Sequence, residues 1–173
     1  MRIIYLLFAT AALAACSNER STTITSADGK DIKVTADSDN DRNSGKISFE
    51  SEDGEGGTIT FGDAAAKQGL PLGLPVYPGG TVQGAFMGND GKNSQGGMAT
   101  VLTSDAPDKV IAFYKSQAEG KGFAIKSQST STSDSKTTAN FAAEGKGGET
   151  LVVTVTPSDD GKTAAVIMGG QKK

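Results

Sequence analysis

A chain of 173 residues with a formal charge of -3 has room for one domain of about 100 to 200 residues plus an appendage, and it lacks the basic excess of a nucleic-acid binder. It contains no His and a single Cys, Cys16. That excludes an imidazole general base, a Ser/His/Asp or Cys/His nucleophile pair, an intrachain disulfide and a Cys-rich zinc site.

Met1-Arg2 is a short basic start, and Ile3 to Leu13 is an apolar run broken only by Thr10. The run has secretory-signal length and falls short of the ~20 apolar residues that a spanning helix needs. It ends in Leu13-Ala14-Ala15-Cys16, an aliphatic residue, two small residues and the chain's one cysteine. This tetrad resembles the lipobox of bacterial lipoproteins and matches its pattern at every position. The resemblance implies a signal peptide over 1–15, diacylglyceryl transfer to the Cys16 thiol, cleavage before Cys16 and acylation of the new amino terminus with a chain such as palmitate. Several acyl chains at ~0.8 kcal/mol per buried methylene would anchor the protein stably without spanning the bilayer. In the Gram-negative members of this family an Asp after the lipidated Cys favours the inner membrane. Here that residue is Ser17, so the resemblance implies the outer membrane, on its periplasmic leaflet. An ordinary secretory peptide is the competing reading.

Residues 16–21 read as the lipidated Cys and a polar tether. Over 22–62, Ile32-Lys33-Val34, Ile47-Ser48-Phe49 and Ile59-Thr60-Phe61 are apolar-polar-apolar triplets, and period two puts both apolar side chains of each on one sheet face. Asp28-Gly29 and Asp53-Gly54 supply hairpin turns between them. This β-hairpin segment carries too few large apolar residues to fold unaided. Residues 63–73, with Ala64-Ala65-Ala66 and Gly69-Leu70-Pro71-Leu72-Gly73, read as a linker.

Residues 74–170 carry most of the folding information. An extended segment closes at Pro78-Gly79, Thr81 to Met87 is a strand, Gly88 to Gly97 a loop, and Met98 to Leu102 the returning strand. A helix follows, with Ser104 or Asp105 as N-cap, Val110, Phe113, Tyr114 and Ala118 as its apolar stripe, and Gly120 and Gly122 as its stop. Phe123 and Ile125 start a strand before the Ser127 to Ser135 tract, which reads as an exposed loop. Ala139 to Ala143, Leu151 to Val155 and Ala164 to Met168 complete the strands. The expected fold is α+β: an antiparallel sheet with one packed helix in the order β-β-α-β-β-β-β, preceded by the β-hairpin-rich segment. Pro75-Val76-Tyr77-Pro78-Gly79, with Thr103-Ser104-Asp105, Phe113-Tyr114 and Gly122-Phe123, is similar to a pattern in small envelope lipoproteins. That resemblance implies domain type and compartment and carries no active site.

The chemical candidates are few. Asp37, Asp39 and Asp41 alternate as the first ligands of an EF-hand loop do, but Arg42 stands where that loop needs Gly and Ser48 where it needs a bidentate Glu. A solvated acidic loop is the preferred reading, and calcium binding stays open. Asp105 with Asp108 belongs to a helix start and Asp159 with Asp160 to a turn. The glycine-rich stretches lack a phosphate-loop signature. Tyr77 packs on the sheet edge or serves recognition, and Phe113 belongs to the core.

These residues predict a membrane-anchored envelope lipoprotein that is a non-enzymatic binding or structural module, with Cys16 as its lipidation site. No catalytic residues, metal or cofactor are expected. The partners expected are the membrane, through the Cys16 anchor, and an envelope protein; no nucleic acid is expected and the residues identify no small-molecule ligand. The alternatives are a carboxylate-dependent hydrolase or transferase of the envelope, needing two carboxyl groups roughly 5 to 9.5 Å apart across a cleft, and a surface adhesin.

Overall fold

A computed structural model describes residues 19–26, 29–38, 43–92, 94–133, 136–158 and 160–172. Cys16, Asp39, Asp41 and Asp159 lie outside these residues. The chain forms β1 (Glu19–Thr25), β2 (Asp31–Ser38), β3 (Gly45–Ser51) and β4 (Glu55–Phe61), then α1 (Asp63–Gln68) and a 3-10 turn (Pro71–Gly73). After these come β5 (Thr81–Asp90), β6 (Ser94–Thr103), α2 (Pro107–Gly120), β7 (Ala124–Ser133), β8 (Lys136–Glu144), β9 (Glu149–Pro157) and β10 (Thr163–Lys172).

All ten strands join one antiparallel sheet in the order β1-β2-β3-β4-β5-β6-β10-β9-β8-β7. The first six strands add by simple hairpins or through α1. Helix α2 then carries the chain across one face to the far edge, where β7 forms, and β8 and β9 fill inward until β10 pairs with β6.

The expected α+β architecture is therefore corrected. Strand β4 pairs with β5 from Glu55↔Asp90 to Phe61↔Gly84, so the hairpin segment extends the same sheet and the protein is nearly all-β with one substantial helix. The physical reason is the edge of β5. Its outward N–H and C=O groups need partners, and β4 supplies them along the strand. Glu19 to Ser21, expected as tether, pair with β2 at Glu19↔Asp37, Arg20↔Ala36 and Ser21↔Thr35.

Two expected loops are strands. Most of Gly88 to Gly97 belongs to β5 and β6, which run on to Asp90 and from Ser94. Ser127 to Ser133 is the outer part of edge strand β7, exposed along that whole length. With both its faces in water, β7 has no reason to alternate apolar and polar residues. Its Ser and Thr side chains pair across to β8, as Thr132 does with Thr137 at 3.1 Å.

The helices cover one face of the sheet. Leu151, Val153 and Val155 of β9, Ala165 and Ile167 of β10, Ala99 and Val101 of β6, and Phe141 of β8 are all buried there. Val110, Tyr114 and Ala118 of α2 pack on them with no exposure. Each large aliphatic buried in this way stabilises the fold by about 1.5 to 3 kcal/mol. Phe113, expected in the core, is half-buried at its margin. Helix α2 starts one residue later than expected: Ala106 is the N-cap, without a side-chain bond, and Pro107 opens the helix. At its end Phe123 N–H donates to Ala118 O at 3.0 Å and Gly122, at φ 86°, lets the chain turn back into β7.

Candidate functional site

Strands β3 to β6 and β10 share a row on the helix-covered face. Ser48 pairs with Thr58, Thr58 with Met87, Met87 with Gly97 and Gly97 with Gly169. Two of these positions carry no side chain, and their neighbours occupy the space. A Cβ on Gly97 would stand 2.2 Å from Met87 Sδ, and one on Gly169 would stand 2.6 Å from Leu72 Cδ1. Met87 and the 3-10 turn thus lie flush against bare sheet backbone.

Leu72 adopts φ 57°, ψ 22°, the left-handed region that costs an ordinary residue about 1 to 2 kcal/mol. The sequence Pro71-Leu72-Gly73 holds it there. Pro71 fixes the approach, Gly73 takes φ 63°, and the side chain is seated over Gly169. Leu70 and Pro71 are buried beside it.

Between this turn and the sheet lies a cavity of about 700 Å3. Leu70, Leu72 and Met87 give it apolar wall, while Ser48, Thr58 and Gln95 give it polar groups. Ser48 Oγ and Thr58 Oγ1 are 3.2 Å apart and share a hydrogen bond. Each hydroxyl keeps lone pairs free for a ligand. Glu50 is the carboxylate of this lining.

The aromatic residues read from the sequence come together elsewhere. Tyr77 is buried, its hydroxyl donates to Asp105 Oδ2 at 2.8 Å, and its ring meets Phe113 edge-on at 5.1 Å. Phe113 in turn meets Tyr114 edge-on at 5.2 Å. The cluster fastens the extended segment before β5 to the start of α2, so Tyr77 packs as a structural residue and is not displayed for recognition. Burial, then the hydrogen bond to Asp105 and its charge, raise the Tyr77 hydroxyl above its ordinary value. The same bond, reinforced by Lys109, holds the Asp105 carboxyl below the usual carboxylate range. Burial pushes Tyr114 up to about 12; its hydroxyl faces the Tyr77 backbone without a well-formed hydrogen bond. None of the three is tuned for proton transfer near neutrality.

The remaining sequence candidates are dispersed. Asp37 is an exposed residue of β2, and no group of three or more Asp, Glu, Cys or His able to hold a metal occurs among the described residues. Asp160 accepts the Lys162 N–H within its own turn, which lowers its pKa. Glu55 and Asp90 stand directly opposite each other on β4 and β5, side by side on one sheet face and not across a cleft. Asp90 is already engaged by the Lys92 and Ser94 N–H groups at 3.0 and 2.9 Å. That arrangement does not flank a scissile bond as a glycosidase pair does.

A family model described as START domain-like matches residues 82–162. The stretch runs from β5 through α2 to the turn after β9, less than half of the chain, and it is similar to that family over this part alone. No curated protein and no solved structure matches the chain.

The cavity residues were not legible as a site. Leu72 and Met87 read as linker and strand, and the signal available was the pair of glycines at 97 and 169, which mark places where another group approaches the backbone.

Proposed function

We propose that this protein is a lipid-anchored envelope lipoprotein whose sheet acts as a non-enzymatic binding module, with the cavity under the Leu70 to Gly73 turn as its ligand site. The observation that carries the binding reading is the cavity itself. Its volume of about 700 Å3 falls in the range of small-molecule sites, roughly 300 to 1,000 Å3, and its wall is apolar with a few convergent polar groups. The chemistry fits an uncharged small molecule with an apolar body against Leu70, Leu72 and Met87 and a hydrogen-bonding group at Ser48 and Thr58. The similarity of residues 82–162 to the START domain-like family is compatible with a module of this kind.

The anchoring reading rests on Leu13-Ala14-Ala15-Cys16 and on Ser17, which place the lipid on Cys16 and the protein at the outer membrane, facing the periplasm. No helix among the described residues is long and apolar enough to cross a membrane.

Two measurements test the two halves. Native mass spectrometry of the protein released gently from cells should show a co-purifying small molecule that Thr58→Phe, filling the cavity, displaces; the same adduct in both forms, or none in either, overturns the site. Metabolic labelling with an alkyne fatty acid should mark the wild type and fail on Cys16→Ala, and labelling that survives the substitution overturns the anchor.

A further inference from the structure

The face of the sheet opposite the helices is uncovered, and its side chains form a ridge beside a trench. The ridge is one register row across eight adjacent strands: Ala36, Ile47, Ile59, Phe86, Met98, Met168, Val152 and Ala142. Ile47, Ile59, Met98 and Met168 are 37 to 45% exposed. The adjacent row runs Phe49, Gly57, Gly88, Gly96, Gly170 and Thr150. Phe49 and Phe86, stacked at 6.3 Å, lean over Gly57 and Gly88. Beyond them, only backbone stands within 4 Å of where a Cβ on Gly96 or Gly170 would be. A hollow of about 740 Å3 opens along this trench.

We propose that this face binds a second copy of the same chain, sheet against sheet, with Met98 and Met168 of each copy seated over Gly96 and Gly170 of the other. Three observations select a second copy as the occupant.

The first is shape. Ridge and trench are parallel and one row apart, so a two-fold axis lying between them, along the rows, carries each ridge onto the partner's trench. A patch that is its own complement under a two-fold rotation is the requirement for an isologous dimer. The residues that protrude next to the hollow are methionines, which adapt to irregular space.

The second is charge. From β2 to β9 the ridge, the trench and the row beyond the ridge hold no Asp, Glu, Lys or Arg. The acidic pair Glu55 and Asp90 lies past the trench, and the two-fold sends the two copies' acidic rows to opposite rims. An anionic membrane surface would instead need a basic rim.

The third is area. With strands ~4.8 Å apart and rows roughly 7 Å apart, three rows across eight strands cover about 700 Å2, close to the ~800 Å2 per partner of a standard interface. Packed sheets of this kind lie ~10 Å apart and rotated by about 30°.

The test is photocrosslinking of the full chain in its own cells, with benzoyl-phenylalanine replacing Met98. The expected product is an adduct of twice the chain mass whose partner-side peptide contains Gly96, at a yield reduced at least tenfold by Ile59→Lys with Met168→Lys. Thermal melts check that these exposed substitutions leave the fold intact, and a probe at the exposed Asp108 of α2 should give no dimer adduct. An adduct to lipid, to another protein or to the chain's own residues 1–18, or a dimer adduct from Asp108 as readily as from Met98, overturns the proposal. None of these outcomes bears on the ligand cavity, which lies on the other face.

Discussion

The Tyr77 hydroxyl donates to Asp105 Oδ2 across 2.8 Å, tying the extended segment ahead of β5 to the residue before the N-cap of α2. This bond lowers the Asp105 carboxyl, with Lys109 adding to it. A carboxyl whose folded pKa is depressed contributes stability that is complete above its unfolded value and is lost as pH falls through the folded one. Wild-type stability should therefore decline with acidification below about pH 4, and Tyr77→Phe should show a shallower acid limb. Urea unfolding at a series of pH values measures both limbs, and parallel slopes would refute the linkage.

Tyr114 gives the opposite sign at the other end of the scale. Its folded pKa of about 12 exceeds the ordinary value near 10, so its contribution is complete below about pH 10 and falls away as pH rises toward 12. Tyr114→Phe should flatten that alkaline limb. At pH 7 it removes a buried hydroxyl without a well-formed bond, and should raise stability by about 1 kcal/mol, read as an increase in Tm.

Gly169→Val tests how the 3-10 turn is seated. The new Cβ would fall 2.6 Å from Leu72 Cδ1 and 3.2 Å from Pro71 Cβ. Overpacking of this kind costs about 1 to 3 kcal/mol. Leu72→Ala in the same chain should recover part of the loss, because it removes the clashing atoms. A double-mutant cycle with no coupling between the two sites would show that the turn does not rest on Gly169.

Gly62→Ala should be the more damaging change. Gly62 links β4 to α1 at φ 61°, and a Cβ there would stand 2.2 Å from the Asn43 carbonyl oxygen. Backbone strain and a clash with immovable backbone act together, so the loss should exceed about 2 kcal/mol. Denaturant midpoints at unchanged slope give the value.

Several elements were legible from residue order. Leu151, Val153 and Val155 alternate and are buried in β9, and Val110, Tyr114 and Ala118 recur at helical spacing and form the inner face of α2. The triplets at Ile32, Ile47 and Ile59 lie in β2, β3 and β4 on a common face. The exclusion of imidazole chemistry needed nothing beyond the composition. In each case the signal is local, because a strand or helix with one wet face and one dry face writes that difference into its own sequence at period 2 or 3.6.

What the tertiary structure alone decided is how those elements meet. The Ser/Thr tract became strand β7 because the edge of β8 needed backbone partners, a demand that leaves no apolar alternation to read. The hairpin segment became part of the main sheet because β4 closes the edge of β5. The cavity exists because Gly97 and Gly169 fall into register with Met87 and beneath Leu72, residues far apart in the chain. Periodicity reports which face of a segment is buried; long-range backbone hydrogen bonding and side-chain clearance choose the neighbours, and those neighbours make the site.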